Sequence, residues 1–327
     1  MLARLLPDRF ILWLLAAVAL GLAIPVSGIA LQVVDALTLA AIFALFLLHG
    51  VRLPREALVA GVTDWRLHLA ILAITFALFP ILGLALAAAF PGLLAPELWT
   101  GLLFLCALPS TVQSSIAYTS IAGGNVAGAV AAAAFSNLLG VFLTPLLVAF
   151  MLQAQGAAIG LGSVARIFAL LFLPFLLGHA LRPMLLPLVA DRPRLTLVID
   201  KGTILLAVYG AFSAATIAGV WRQLPPRDIF LLSILLLALL ALVLAAAWVT
   251  GRIGRFPYES RVAILFCGSV KSLASGAPMA RILFPGAAAG SIILPIMIFH
   301  SLQLIVCAWI AAAMASSAPT RTAAAPD

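Results

Sequence analysis

Two short polar stretches interrupt an otherwise apolar chain, and both carry groups that could do chemistry. In the first, Pro109 is followed by Ser110, Thr111, Val112, Gln113, Ser114 and Ser115, five of them hydroxyl or amide residues. In the second, Gly268-Ser269-Val270-Lys271-Ser272 with Ser275 beyond it, an ammonium stands among hydroxyls. Hydroxyl and amide oxygens can hold a cation or hydrogen-bond a solute. An ammonium can attract an anion, or give up its proton in a coupling cycle, because burial disfavours its charged form. The plainer reading of Lys271 is a buried lysine bonded to the carbonyls of a broken helix, holding two segments together. His300 and Gln303 lie within one turn of each other in the last apolar run, as a proton-transfer pair or as hydrogen-bonded packing. Asn125, after Gly123-Gly124, is a further candidate ligand, although its position best suits a helix cap after a tight turn.

The carboxylates narrow the chemistry. All ten acids fall near the ends of apolar runs, in loops or at the termini, with Asp200 the deepest. A sodium ion near the two polar stretches would have neutral oxygens only, beside an ammonium, which is a poor site. A small organic anion suits that ammonium better. No cofactor is expected; the ammonium's proton makes H+ one coupling ion to expect, and Na+ stays open as the other.

The elements that must position these residues are membrane helices. The chain of 327 residues is 65% hydrophobic and 9% charged, whereas a soluble domain keeps roughly 25% charged residues to cover its surface. Its solvent is therefore lipid. At about 20 apolar residues per span, ten helices are expected: 10–28, 34–51, 66–90, 97–122, 125–152, 163–185, 195–219, 227–250, 258–284 and 287–315. The opening residues could pass for a secretory signal, but the remainder needs them as a first span. The tail, 316–327, reads as disordered. Eleven arginines fall on the side that holds the N-terminus and four on the other, so both termini are expected in the cytoplasm. Arginine over lysine and abundant alanine fit a GC-rich bacterial genome, hence an inner membrane.

A repeat is hidden in this order. Thr111-Val112-Gln113-Ser114 matches Ser269-Val270-Lys271-Ser272, each mid-span in the fourth helix of five. Five is odd, so the second copy, 153–315, runs opposite to the first, 1–152. Polar, Gly/Pro-interrupted helices at matching places of inverted halves point to a transporter's binding site. Breaks are expected at Pro109 and around Gly268, Gly276 and Pro278. Hydroxyls bonded back to their own helices would be the bland alternative.

The sequences "LPSTVQSSIAYTSIAGGNVAGAV" and "LFCGSVKSLASGAPMARILF", within ten spans in two fives, resemble the bile acid:sodium symporter superfamily, in its SBF-like branch. The resemblance implies an all-α integral membrane fold in which helices 4 and 9 are broken and cross. It implies a core domain of spans 3–5 and 8–10 and a panel domain of spans 1, 2, 6 and 7. It further implies a secondary transporter of organic anions working by alternating access. The branch's eukaryotic members suggest the alternative of a sensor or regulator of ion homeostasis. The sodium ligands of the coupled relatives carry over poorly. Ser114 and Ser115 stand where those relatives supply Ser and Asn, Ala129 and Ala133 where they supply hydroxyls, and Phe266 where they supply a glutamate. Lys271 falls among their amides, so it is expected to bring a fixed or protonatable charge to the place where they hold sodium.

Other classes fit less well. The arginines lie in short loops, which excludes a nucleic-acid stripe. Cys106, Cys267 and Cys307 lie in apolar runs and are odd in number, as buried hydrophobes rather than a disulfide framework. There is no HExxH, no mid-span Asp pair and no Ser/His pair in a catalytic context, so no enzyme is expected.

Overall fold

The structure, a computed structural model, describes residues 9–52, 64–154, 161–284 and 286–317. Of the expected tail, 316–327, the first two residues are helical instead, and the rest, with the first arginine (Arg4) and the loop arginine Arg55, lies outside those residues. Among the described residues the chain is helical throughout, with no strand. The helices are α1 (Arg9–Ala23), α2 (Gly28–Val51), α3 (Trp65–Ala89), α4 (Pro96–Ala107), α5 (Gln113–Ile121), α6 (Val126–Ala154) and α7 (Leu161–Ala180). They continue as α8 (Arg182–Ala190), α9 (Pro193–Ile217), the single turn α10 (Val220–Gln223), α11 (Pro226–Ile253), α12 (Tyr258–Ser269), α13 (Leu273–Leu283) and α14 (Ala288–Ser317).

Among the described residues, seven spans are long and apolar enough to cross a membrane: α2, α3, α6, α9, α11, α12 with α13, and α14. An eighth is made if α7 and α8, bent by 86° at Leu181, count as one. Ten spans were expected, the fourth and ninth of them broken, and a proline stands at two of those that fall short. Pro25 follows α1, of which 15 residues are described. Pro109 divides the fourth apolar run into α4 and α5, of 12 and 9 residues. Hydropathy counts apolar residues, whereas proline removes the N–H that would carry a helix onward.

The helices sort into two groups by what they pack against. In the first, α1 packs along α9, and α2 lies between α7 and α9. In the second, α4 packs on α6 and α14, and α12 lies among α3, α5, α6 and α11. The groups meet where α9 touches α13 and α14 and where α6 touches α7.

Glycines set the closest approaches. A Cβ on Gly50 would stand 2.0 Å from the Phe175 carbonyl, and one on Gly178 would stand 2.0 Å from that of Leu47. The backbones of α2 and α7 therefore touch at both points, as small residues allow in lipid. Neither carbonyl can yield without its helix moving. Gly50→Ala and Gly178→Ala are each expected to destabilise the protein by about 1–3 kcal/mol. Both should melt below wild type in detergent.

Candidate functional site

The site is built on a break in a helix. After Ala107 the chain turns extended at Leu108, with φ −71° and ψ 153°, and Pro109 has no N–H to return to α4. Five carbonyls in a row, Cys106 to Ser110, then lack helical donors inside the protein, where water cannot serve them. Each finds a partner from another element. Thr144 of α6 donates its hydroxyl to Ala107 O at 2.8 Å. Asn137 of α6 donates Nδ2–H to Ser110 O at 2.9 Å. The Ser272 N–H, from the second break, donates to Pro109 O at 2.9 Å. Cys106 O and Leu108 O accept from Lys271 Nζ at 2.9 and 2.7 Å. Gly140 leaves room for the Pro109 ring, since a Cβ there would lie 2.7 Å from Pro109 Cβ.

The third partner of Lys271 comes from α3. Residues Ile74–Leu78 form a π-turn, in which the Phe79 N–H reaches Ile74 O. Residue 80 is proline, so nothing in the helix can bond Thr75 O. Lys271 Nζ donates to that carbonyl at 2.8 Å. Three acceptors match the three N–H donors of an ammonium, and the Phe79 ring lies beneath, 4.0 Å from Nζ to centroid. Two of the oxygens close the C-terminus of α4, the negative end of a helix dipole. Lys271 is 1% exposed. It is thus a cation fixed by carbonyls where the two breaks meet, and its ammonium is not a free charge lining a cavity.

The second break is held by one amide. The N–H of Lys271 donates to Gln303 Oε1 at 2.7 Å, and Gln303 Nε2 donates to Lys271 O at 2.9 Å. One side chain of α14 thereby supplies both bonds that a helix would have given this residue. Gln303 Nε2 also lies 3.0 Å from His300 Nδ1. Ser272 then caps α13, its hydroxyl accepting from the Ser275 N–H at 3.2 Å.

Most of the candidate residues from the sequence gather here. Ser110, Thr111, Ser114 and Ser115 form a hydroxyl cluster: Ser110 Oγ lies 3.3 Å from Ser115 Oγ, and Thr111 Oγ1 bonds Ser114 Oγ. Ser115 also donates to Thr111 O at 2.6 Å. Ser275 donates to Asn137 Oδ1 at 3.0 Å and so ties the second break to α6. Gln113 and Val112 are exposed and Ser114 half-buried, which makes the start of α5 the open face of the cluster. Ser269 spends its hydroxyl on Leu265 O of its own helix.

One expectation changes, the place of the second break, and two others hold: the cap at Asn125 and the poor fit of the sodium-ligand positions. Asn125 caps α6, accepting from the Gly128 N–H at 2.8 Å, and the whole of α5 separates it in sequence from the break at Pro109. Gly276 and Pro278 lie inside α13, so the second break falls at Val270–Ser272. Gly276 instead makes room for Leu108, whose Cδ1 would lie 2.6 Å from a Cβ there. The sodium-ligand positions of the resembled family are apolar here: Ala129, Ala133 and Phe266 are fully buried, and the Phe266 ring packs on Tyr118 at 5.6 Å.

Polarity alone misses four participants. Ser136, Asn137 and Thr144 lie in α6, and Ser136 Oγ accepts from the Ser110 N–H at 3.0 Å. An amide in the middle of "AAAAFSNLLG" is the signal that could have marked Asn137. Thr75 contributes a main-chain oxygen, which no side-chain reading can find.

Residues 8–316 match the SBF-like CPA transporter family. Of the similar curated proteins, "Uncharacterized protein PA2026" of Pseudomonas aeruginosa is 48% identical over 309 residues, 94% of this chain and 93% of the relative. "Putative symporter YfeH" of Escherichia coli K12 is 45% identical over 304 residues, covering 93% and 92%. "Sodium/bile acid cotransporter 7" of Danio rerio is 26% identical over 315 residues, 93% of each chain.

Proposed function

Because the chain belongs to the SBF-like CPA transporter family, a family of multi-pass membrane transporters and not of enzymes, we propose that it carries a small organic anion by alternating access. In this reading the transport does not depend on sodium at the crossing. Ten membrane segments form two inverted fives, 1–152 and 153–315, with both termini in the cytoplasm and the inner membrane as their location. The two helix groups act as the moving bodies, panel (spans 1, 2, 6 and 7) and core (spans 3–5 and 8–10).

One observation carries the reading: the Lys271 ammonium is bonded to three main-chain carbonyls where the broken helices cross. A charge so held neutralises the carbonyl end of α4 and leaves the crossing positive in the absence of a bound ion. An anion would meet that potential from the open face at Gln113 and Ser114. The side chains at Ala129, Ala133 and Phe266 offer no oxygen to a competing sodium ion.

The test is flux. In proteoliposomes, at least one labelled carboxylate or sulfonate of a panel that includes taurocholate should enter at the same rate in sodium and in choline. Melting in detergent should likewise coincide in the two salts. A half-millimolar sodium site at 100 mM salt would add about 3 kcal/mol of stability. A sodium-specific rise of that kind, or uptake that requires sodium, would overturn the proposal.

A further inference from the structure

Arg281 lies in the last turn of α13 and reaches out of its own helix group. Its guanidinium crosses Gly210 of α9, where a Cβ would stand 3.5 Å from Nη2 and 3.2 Å from Val34 of α2. Nη2 pairs with Oδ1 of Asp35, also on α2. This pair joins helices that otherwise belong to different groups. Its two members differ in burial: the Arg281 side chain is 8% exposed and that of Asp35 is 44% exposed. The other terminal nitrogen, Nη1, is buried with no hydrogen-bond partner.

A guanidinium offers a planar fork that a carboxylate can take with two parallel bonds. Asp35 engages it through one oxygen and one nitrogen, so half the fork is unused while its partner stays exposed at the protein surface. That is the geometry of a replaceable anion. A buried guanidinium stripped of its counter-charge is strongly disfavoured, so α2 and α13 separate most readily when a second carboxylate arrives as Asp35 leaves. We infer that Arg281 is a carboxylate-binding site at the junction of the two helix groups, filled in this conformation by Asp35. Building on the transport reading above, the anion in transit takes Arg281 from Asp35, and its binding is thereby linked to the parting of the groups.

Acetate is the probe. Melting temperature in detergent is compared in sodium acetate and sodium chloride, each at about 100 mM, for wild type, Asp35→Ala and the double variant Asp35→Ala/Arg281→Gln. Acetate should raise the melting temperature of Asp35→Ala by about 2 °C or more. It should raise wild type less, because Asp35 competes, and the double variant not at all. Where the alanine variant is too unstable to purify, Asp35→Asn keeps the volume and removes the charge. No acetate shift in the Asp35 variants, or an equal shift in all proteins, would overturn the site. The measurement needs no flux. A protein that bound acetate at Arg281 yet carried no anion would overturn the transport reading and leave this site standing.

Discussion

Replacing Lys271 by alanine is expected to cost the folded protein about 2–5 kcal/mol, the net of two opposing effects. Removing an ammonium relieves about 2.5–3.5 kcal/mol of the cost of placing a lysine at the centre of a span. Against this, the oxygens of Thr75, Cys106 and Leu108 lose their common donor, at about 1–3 kcal/mol for each buried acceptor left unpaired. The carbonyls win because there are three of them and neither α3 nor α4 can bond them. Lys271→Met should fall by a similar amount, as it fills the space and donates nothing. Lys271→Arg should not rescue, since a planar fork cannot address three converging oxygens. The discriminating measurement adds propylammonium, the part of the side chain that alanine lacks. It should restore the melting temperature of Lys271→Ala and leave Lys271→Met unchanged. If Lys271→Ala melts with wild type, the carbonyl cage contributes nothing to stability and the fixed-cation reading loses its ground.

The second large effect is expected at Gln303. Its amide is the partner of both the N–H and the C=O of Lys271, and it is fully buried. Gln303→Leu keeps the volume and leaves one donor and one acceptor unpaired, a loss of about 2–4 kcal/mol. Gln303→Glu separates the two bonds, because a carboxylate can still accept from the N–H but cannot donate to the carbonyl. Both variants should also loosen the position of the Lys271 side chain, so propylammonium should not help either of them. Unfolding in detergent reads the stability. A Gln303→Leu protein as stable as wild type would mean that the break at Val270–Ser272 is held by other contacts.

Legibility in the sequence followed energy. Lys271 stands out because a charge inside a span is costly, and Gln303 because an amide next to His300 has no business in lipid without a partner. The hydroxyls of Ser110 to Ser115 are readable as a cluster, not singly. Asn137 and Thr144 carry the same chemistry but lie alone in a helix, where such residues commonly serve packing. Their role exists only because Pro109 frees carbonyls opposite them. The pair Arg281–Asp35 joins residues 246 positions apart, and nothing local to either announces the other. Hydropathy found where the apolar runs lie and Pro109 marked the first break, but Gly276 and Pro278 pointed to the wrong place for the second, because α13 carries both of them inside it.

The π-turn in α3 has a consequence for how this chain is compared with others. A π-turn holds one residue more than an α-turn, so the parts of α3 before Ile74 and after Leu78 are out of phase with a single straight helix by about 100°. A chain that lacks the extra residue could still form a continuous helix here, but its outer turns would present different faces to α12. The slip is invisible to hydropathy, because every residue from Ile74 to Leu78 except Thr75 is apolar. An alignment drawn without a gap at this point would therefore pair the right residues on one side of the turn and the wrong ones on the other.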